Sequence, residues 1–500
     1  MNTSNQSTIK SIVIGSGFAG ISSALRMKAL GHDVILLERL DQLGGRARTF
    51  KKGKYIHDAG PTVITAPFLF HELFELFNEK LEDHIEFIHL DPYYRFYFSD
   101  EDEIFDYRSS IEDTQNEIKR FNAEDAEAYN RLLNESKEIY DVGFKKLVHR
   151  PFNKIISMVS QIPALLRLKC YRTVWQMVCS HITHPVVRKA FSIHPLLIGG
   201  NPFTTTSIYA LIHYLERKWG VFFCMGGTGK LVKELEKLMQ RHEIEIKKNC
   251  DVKRINTQNN RVISIELGSG EIIEGDNCIF AGDPETCYRE LLDQRSFFKS
   301  LLPEKKYSMG LYVLYFGAQK TYKDIAHHTI WMGKKYKSLL NDIFEKKILG
   351  DDFSLYLHRP TATDKSFAPQ GCDSFYVLCP VPNLQGNIDW NISGKILGDK
   401  IISALDSTIL PDLKSHIEDV FWMTPKDFSS DYRSTHGAGF SIEPKLTQSA
   451  WFRYHNRHKN IKNLYFAGAG THPGAGLPGV ISSAKVVQEL ITGKEVGSGE

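Results

Sequence analysis

The residues best equipped for chemistry sit in glycine-rich loops at the two ends of the 500-residue chain. Near the start stands Gly15-Ser16-Gly17-Phe18-Ala19-Gly20. In such a sextet the first glycine permits a tight turn, the second lets the backbone approach a pyrophosphate, and the third lets a helix pack close to a strand. The helix beginning there offers amide donors, those at Phe18 and Ala19 included, and a partial positive charge to phosphate. Glu38 follows Gly20 by 18 residues, a spacing at which a carboxylate accepts from a ribose hydroxyl. Leu43-Gly44-Gly45-Arg46-Ala47-Arg48 brings backbone to a phosphate a second time, with the Arg46 cation beside it. A solvated surface arginine is the plain alternative for Arg46. His57-Asp58-Ala59-Gly60-Pro61-Thr62 offers a further tight loop. At the other end, Gly470-Thr471-His472-Pro473-Gly474-Ala475-Gly476 leads into Leu477-Pro478-Gly479-Val480, with Pro478 suited to a first helical turn. A second helix N-terminus approached by glycines is a second anion-stabilising site. Two such loops so far apart in sequence argue for one extended dinucleotide cofactor. The eight cysteines form no CxxC pair, and no Cys/His cluster has zinc-finger spacing. No metal site is therefore expected, and the thiols read as reduced.

Short strands and helices must position these loops. Ser11-Ile12-Val13-Ile14 is β-branched, as a buried parallel strand would be, and an apolar helix is predicted over 21–30, stopped by Gly31. Asp33-Val34-Ile35-Leu36-Leu37-Glu38 reads as the next strand. This strand, turn, helix and strand are the context the glycine sextet requires. Met225-Gly226-Gly227-Thr228-Gly229 precedes a helix predicted over 230–241, with Leu231, Leu235 and Leu238 on its apolar face. A hairpin follows, Val252-Lys253-Arg254-Ile255 and Val262-Ile263-Ser264-Ile265 around Asn259-Asn260, and then a buried strand over 277–283. The last elements are a strand over 463–468 and a helix over 477–491.

Composition narrows the class. The chain is 42% hydrophobic and 24% charged, which excludes a disordered or collagen-like protein. A net charge of +3 argues against nucleic-acid binding by global charge. The polar stretch up to Lys10 has no apolar core, so secretion is not expected. No window reaches about 18 consecutive apolar residues, so no bilayer-spanning helix is predicted. One segment stands apart. Between Asp141 and Glu216 there is no acidic residue, while nine Lys/Arg are interleaved with apolar and aromatic side chains such as Phe144, Phe152, Ile155, Ile156, Val159, Ile162, Leu166, Leu168, Met177 and Val178. Such a pattern suits the surface of an anionic bilayer. It also suits a helical subdomain whose apolar residues are ordinary core.

Taken together, the motifs resemble the bacterial-type carotenoid (phytoene) desaturase family within the FAD-dependent flavin amine oxidase superfamily. The matching runs are residues 15–20, 44–48, 58–65, 225–229 and 468–480, with His-Pro-Gly-Ala-Gly at 472–476 the most specific. Residues 66–215 and 290–425 carry no transferable motif. The resemblance implies FAD held by Gly15, Gly17, Phe18, Ala19, Gly20, Glu38, Arg39, Gly45, Arg46, Gly60, Pro61, Thr62, Val252, Gly470, Thr471, Gly479 and Val480. Binding would be non-covalent, since no cysteine lies after Cys379. It implies an α/β fold: a Rossmann-like FAD-binding domain (1–65, 218–288 and 428–500), a discontinuous α+β substrate-binding domain (66–140 and 289–427) and a helical, membrane-facing subdomain (141–217). The implied activity is stepwise desaturation of a lipid-dissolved polyene such as phytoene, by hydride transfer to flavin N5. A membrane quinone or dioxygen would take the electrons. The expected location is cytoplasmic, peripheral on the inner face of the cell membrane. Thr471 and His472 are the nearest proton acceptors by context, but no catalytic residue is assigned. Three alternatives stay open: an oxidase of amines or other polar substrates, a polyene isomerase or saturase, and a non-enzymatic prenyl-protein carrier. The last class loses the phosphate-binding glycines that this chain keeps.

Overall fold

The computed structural model describes residues 8–293, 304–497 and 499. The start of the polar N-terminal stretch (1–7) and residues 294–303 of the expected substrate-binding domain lie outside the described residues.

The first sheet grows from the short apolar runs. β1 (Lys10–Ile14) and β2 (Asp33–Leu37) are buried except at their first residues, as strands covered on both faces are. They pair in parallel, flanked by Asn277–Phe280 beside β1 and Glu245–Lys247 beside β2, and Leu464–Phe466 forms the outer edge. Strands from the beginning, middle and end of the chain thus share one sheet. Helix α1 (Phe18–Ala29) connects β1 to β2 and packs against the last helix, Leu477–Thr492. It starts at Phe18, earlier than the sequence predicts, because extended Gly17 caps it and Gly20 lies in its first turn. A Cβ added at Gly20 would come 1.8 Å from the Gly15 carbonyl oxygen. The third glycine of the sextet is therefore a packing requirement.

The second sheet has seven strands, in the order Ile417–Met423, Gly310–Ala318, Asp373–Val381, Leu355–His358, His328–Met332, Tyr94–Phe98 and Glu103–Tyr107. Its neighbours are antiparallel except for the pair His328–Met332 and Tyr94–Phe98. The strand Tyr55–Asp58 and the loop after it tie this sheet to the glycine loops. Ser374 Oγ donates to the Ile56 carbonyl at 2.8 Å, and the Tyr315 hydroxyl donates to the Ala59 carbonyl at 3.1 Å. The hairpin around Asn259-Asn260 pairs Val252–Gln258 with Arg261–Leu267, and Ile272–Glu274 extends it. The helix Gly227–Arg241 begins three residues before its predicted start. Asp58 explains this by capping it, accepting from the amides of Thr228 (3.2 Å) and Gly229 (3.3 Å).

The acid-free segment divides into two kinds of surface. Phe144, Phe152, Leu168, Met177 and Val178 are buried. Ile155, Ile156, Val159, Ile162 and Leu166 are 44–65% exposed on two short helices, Ile155–Val159 and Ile162–Arg167. Of the basic residues, Arg172 pairs with Glu135, Lys189 with Asp100 and Glu101, and Lys145 with Asp141. Lys154, Arg167 and Lys169 are exposed beside the apolar patch. Among the described residues no helix is long and apolar enough to cross a membrane.

Candidate active site

A cavity of about 560 Å³ joins the two ends of the chain. Gly15, Gly17, Phe18 and Ala19 line it from the first loop, and Glu38 and Arg39 from the end of β2. Gly45, Arg46, Gly60, Pro61, Thr62 and Val252 contribute from the middle, and Gly470, Gly479 and Val480 from the last loop and helix. Two expected contacts stand behind the wall. Gly20 is taken up by its packing on Gly15. Thr471 is fully buried, its hydroxyl donating to the Gly468 carbonyl at 3.0 Å and accepting from Asn456 Nδ2 at 3.2 Å.

The wall has the chemistry of an anion cradle at this end. Neither α1 nor Leu477–Thr492 has a side-chain cap, so their first amides remain available to a ligand. A Cβ at Gly17 would meet nothing within 4 Å. The bareness of this residue serves the cavity and not the core. Arg46 is half-buried with its Nε enclosed, against the surface alternative. Desolvation pulls its guanidinium below the ordinary arginine range, with Asp283 opposing the shift. Its Nη2 reaches Ser434 Oγ at 3.3 Å, but its Nε has no partner. A cation with an enclosed, unused N–H suits an anion. Glu38 is buried and held by the Ser16 amide (2.9 Å), the Ser16 hydroxyl (2.5 Å) and the Leu40 amide (2.8 Å). The carboxylate is thereby fixed at the mouth of β2.

Further along, the wall becomes apolar, with Leu196, Leu211, Ile212, Leu215, Leu311 and Ile330. His472 lines the cavity and is buried; its Nε2 donates to the Leu147 carbonyl at 2.9 Å, and its ring meets Phe152 edge-on. Burial pushes its protonation down to about 4, so the ring is neutral at ordinary pH. Two polar groups on this wall escape sequence reading. Glu216, in helix Leu211–Trp219, accepts from the Tyr94 hydroxyl at 2.7 Å and meets His194 Nε2 at 2.9 Å. The Tyr356 hydroxyl bridges Thr62 Oγ1 (2.6 Å) and His328 Nδ1 (2.7 Å). Partners far apart in sequence assemble both, and no local spacing marks them.

Residues 18–487 match the family of flavin containing amine oxidoreductases. The chain is 41% identical over 495 residues to a lycopene-forming phytoene desaturase of Paracoccus sp. (strain N81106 / MBIC 01143), covering 98% of this chain and 99% of that one. It is 42% identical over 483 residues to the lycopene-forming phytoene desaturase of Pantoea ananas, covering 96% and 98%. The chain belongs to the phytoene desaturase group of the flavin containing amine oxidoreductase family. Its fold agrees. Cyclohexylamine oxidase from Brevibacterium oxydans IH-35A superposes with a TM-score of 0.61 over 97% of this chain and 98% of that one, at 13% identity. As a member of this family the chain is an FAD-dependent oxidoreductase. The uncapped helix ends, the bare Gly17 and the unspent Arg46 N–H suit the cofactor's phosphates.

Proposed function

We propose that this phytoene desaturase relative introduces double bonds into a lipid-dissolved polyene such as phytoene. One observation carries the reading: the anion cradle and the apolar wall belong to one cavity. A hydrocarbon has no charge to anchor, so a long apolar wall must orient it. Gly15, Gly17, Phe18, Ala19, Glu38, Arg39, Gly45, Arg46, Gly60, Pro61, Thr62, Val252, Gly470, Gly479 and Val480 would hold FAD non-covalently, with Gly20 and Thr471 supporting them. When bound, FAD supplies hydride acceptance at N5. The chain's part is to hold the polyene against it and keep water out. Removing a hydride from one carbon obliges a neighbouring carbon to lose a proton. Glu216 is the carboxylate on the apolar stretch of wall, and we assign it the proton. Tyr94 and His194 fix its oxygens.

The strand sources of the two sheets support a division between 1–65, 218–288 and 428–500 and 66–140 and 289–427, and 141–217 would be the third, helical part. The exposed Ile155, Ile156, Val159, Ile162 and Leu166, with Lys154, Arg167 and Lys169 around them, would dip into an anionic membrane surface from which the polyene is drawn. Phe152 is a buried cavity-lining residue on the same segment, which connects that patch to the wall. Attachment would be peripheral, from the cytoplasmic side, and a quinone or dioxygen would take the electrons. Co-expression with a phytoene-producing pathway tests the reading. Chromatography should show coloured polyenes of increasing conjugation. Unconverted phytoene from a folded, flavin-loaded protein would refute it.

A further inference from the structure

Behind the cavity wall, the second sheet gathers three histidines. His328 and His358 face one another across paired antiparallel strands, and His327 immediately precedes the first of these. All three are buried. One ring nitrogen of each lies within 4.8 Å of the other two. Hydroxyls hold the Nδ1 atoms of His327 and His328, from Thr363 at 2.7 Å and Tyr356 at 2.7 Å. The Nε2 atoms of both have no partner, nor has either nitrogen of His358. Buried polar atoms rarely go unpartnered, and here three rings that carry such atoms crowd together.

We propose that His327, His328 and His358 bind a divalent transition-metal ion, with zinc the best match to three neutral imidazoles. A ligating histidine usually has its other ring nitrogen held by a hydroxyl, carbonyl or carboxylate, as His327 and His328 do. His358 has no such hydrogen bond; its Nε2 lies 3.9 Å from the Asp58 carboxylate, beyond hydrogen-bond reach. Asp58 supplies negative charge, and neighbouring Arg359 is neutralised by Asp373 at 3.1 Å. Zinc–imidazole bonds of about 2.0–2.1 Å ask ring nitrogens that lie within 4.8 Å of one another to close on the ion. The ion would lock His328 and, through it, the Tyr356 hydroxyl that contacts Thr62 on the cavity wall.

The test uses the full-length, FAD-loaded protein, stripped with a chelator, dialysed against zinc and assayed for metal by mass spectrometry. One zinc per chain is expected, with a melting temperature that zinc raises and magnesium does not. In a His327→Ala/His358→Ala double variant that keeps its flavin and circular dichroism, zinc should fall to a tenth or less. Wild-type protein that retains no zinc overturns the proposal without reference to any variant. Zinc content unchanged in the folded double variant overturns it too, by placing the ion elsewhere.

Discussion

Arg46 has an Nε buried on the cavity wall without a partner, a cost that a phosphate oxygen would relieve. Hydrogen bonds to charged groups contribute about 1.5–3 kcal/mol. Arg46→Ala should therefore weaken FAD binding by roughly 10- to 150-fold. Flavin titration of the apoprotein measures this, and unchanged affinity would place the phosphates elsewhere. Glu216→Gln keeps the size of the side chain but loses its basicity. If Glu216 takes the proton, product formation should drop at least about 100-fold while flavin content stays constant; a fully active variant would exclude that role. Buried histidines add a pH dependence. His472 and His458 are each pushed down to about 4 by burial. As pH falls below their ordinary value near 6.5, the unfolded chain takes up protons that the folded one refuses. Stability is thus full above that range and declines towards pH 4, by up to about 1.4 kcal/mol per pH unit for each residue. Urea midpoints should be lower at pH 5 than at pH 7, and His472→Asn should flatten the slope. The glycine loops were legible because their chemistry depends on local spacing. Glu216 was not, because its partners Tyr94 and His194 lie 122 and 22 residues away. The histidine trio was missed because a search for zinc-finger spacing cannot see two strands paired across a sheet.

Elements show the same division. β1, β2 and the last helix fall where apolar runs and glycines place them, because each is set by its own sequence. The helix Gly227–Arg241 starts early because its cap is Asp58, about 170 residues away. The acid-free segment is ambiguous in a different way. Its apolar residues are partly core and partly exposed, and composition alone cannot assign each one to a side. Arg172, held by Glu135, is no probe of membrane charge. The informative variants are Ile156→Glu/Leu166→Glu on the apolar patch and Lys154→Glu/Arg167→Glu/Lys169→Glu around it. Burying a large aliphatic side chain contributes about 1.5–3 kcal/mol, and a basic residue near an anionic surface about 1 kcal/mol. Both variants should lose most binding to anionic liposomes in sedimentation assays while keeping their FAD. Undiminished binding would return the patch to an ordinary surface.

At the scale of the molecule, the decisive feature is the cavity that both chain ends build together. Parallel strands from residues 10–14, 277–280 and 464–466 lie side by side, which brings the two glycine loops to one ligand. The sequence showed those loops but could not show how far the apolar wall runs beyond them. That wall is assembled from helix Leu211–Trp219, the second sheet and the segment around Phe152, which lack a shared motif. An orienting hydrocarbon channel would adjoin the flavin. Incubating the FAD-loaded protein with liposomes containing phytoene and recording absorbance over time tests this. A stepwise red-shift is expected as conjugation lengthens. An unchanged spectrum, from protein that instead releases hydrogen peroxide on amines, would contradict it.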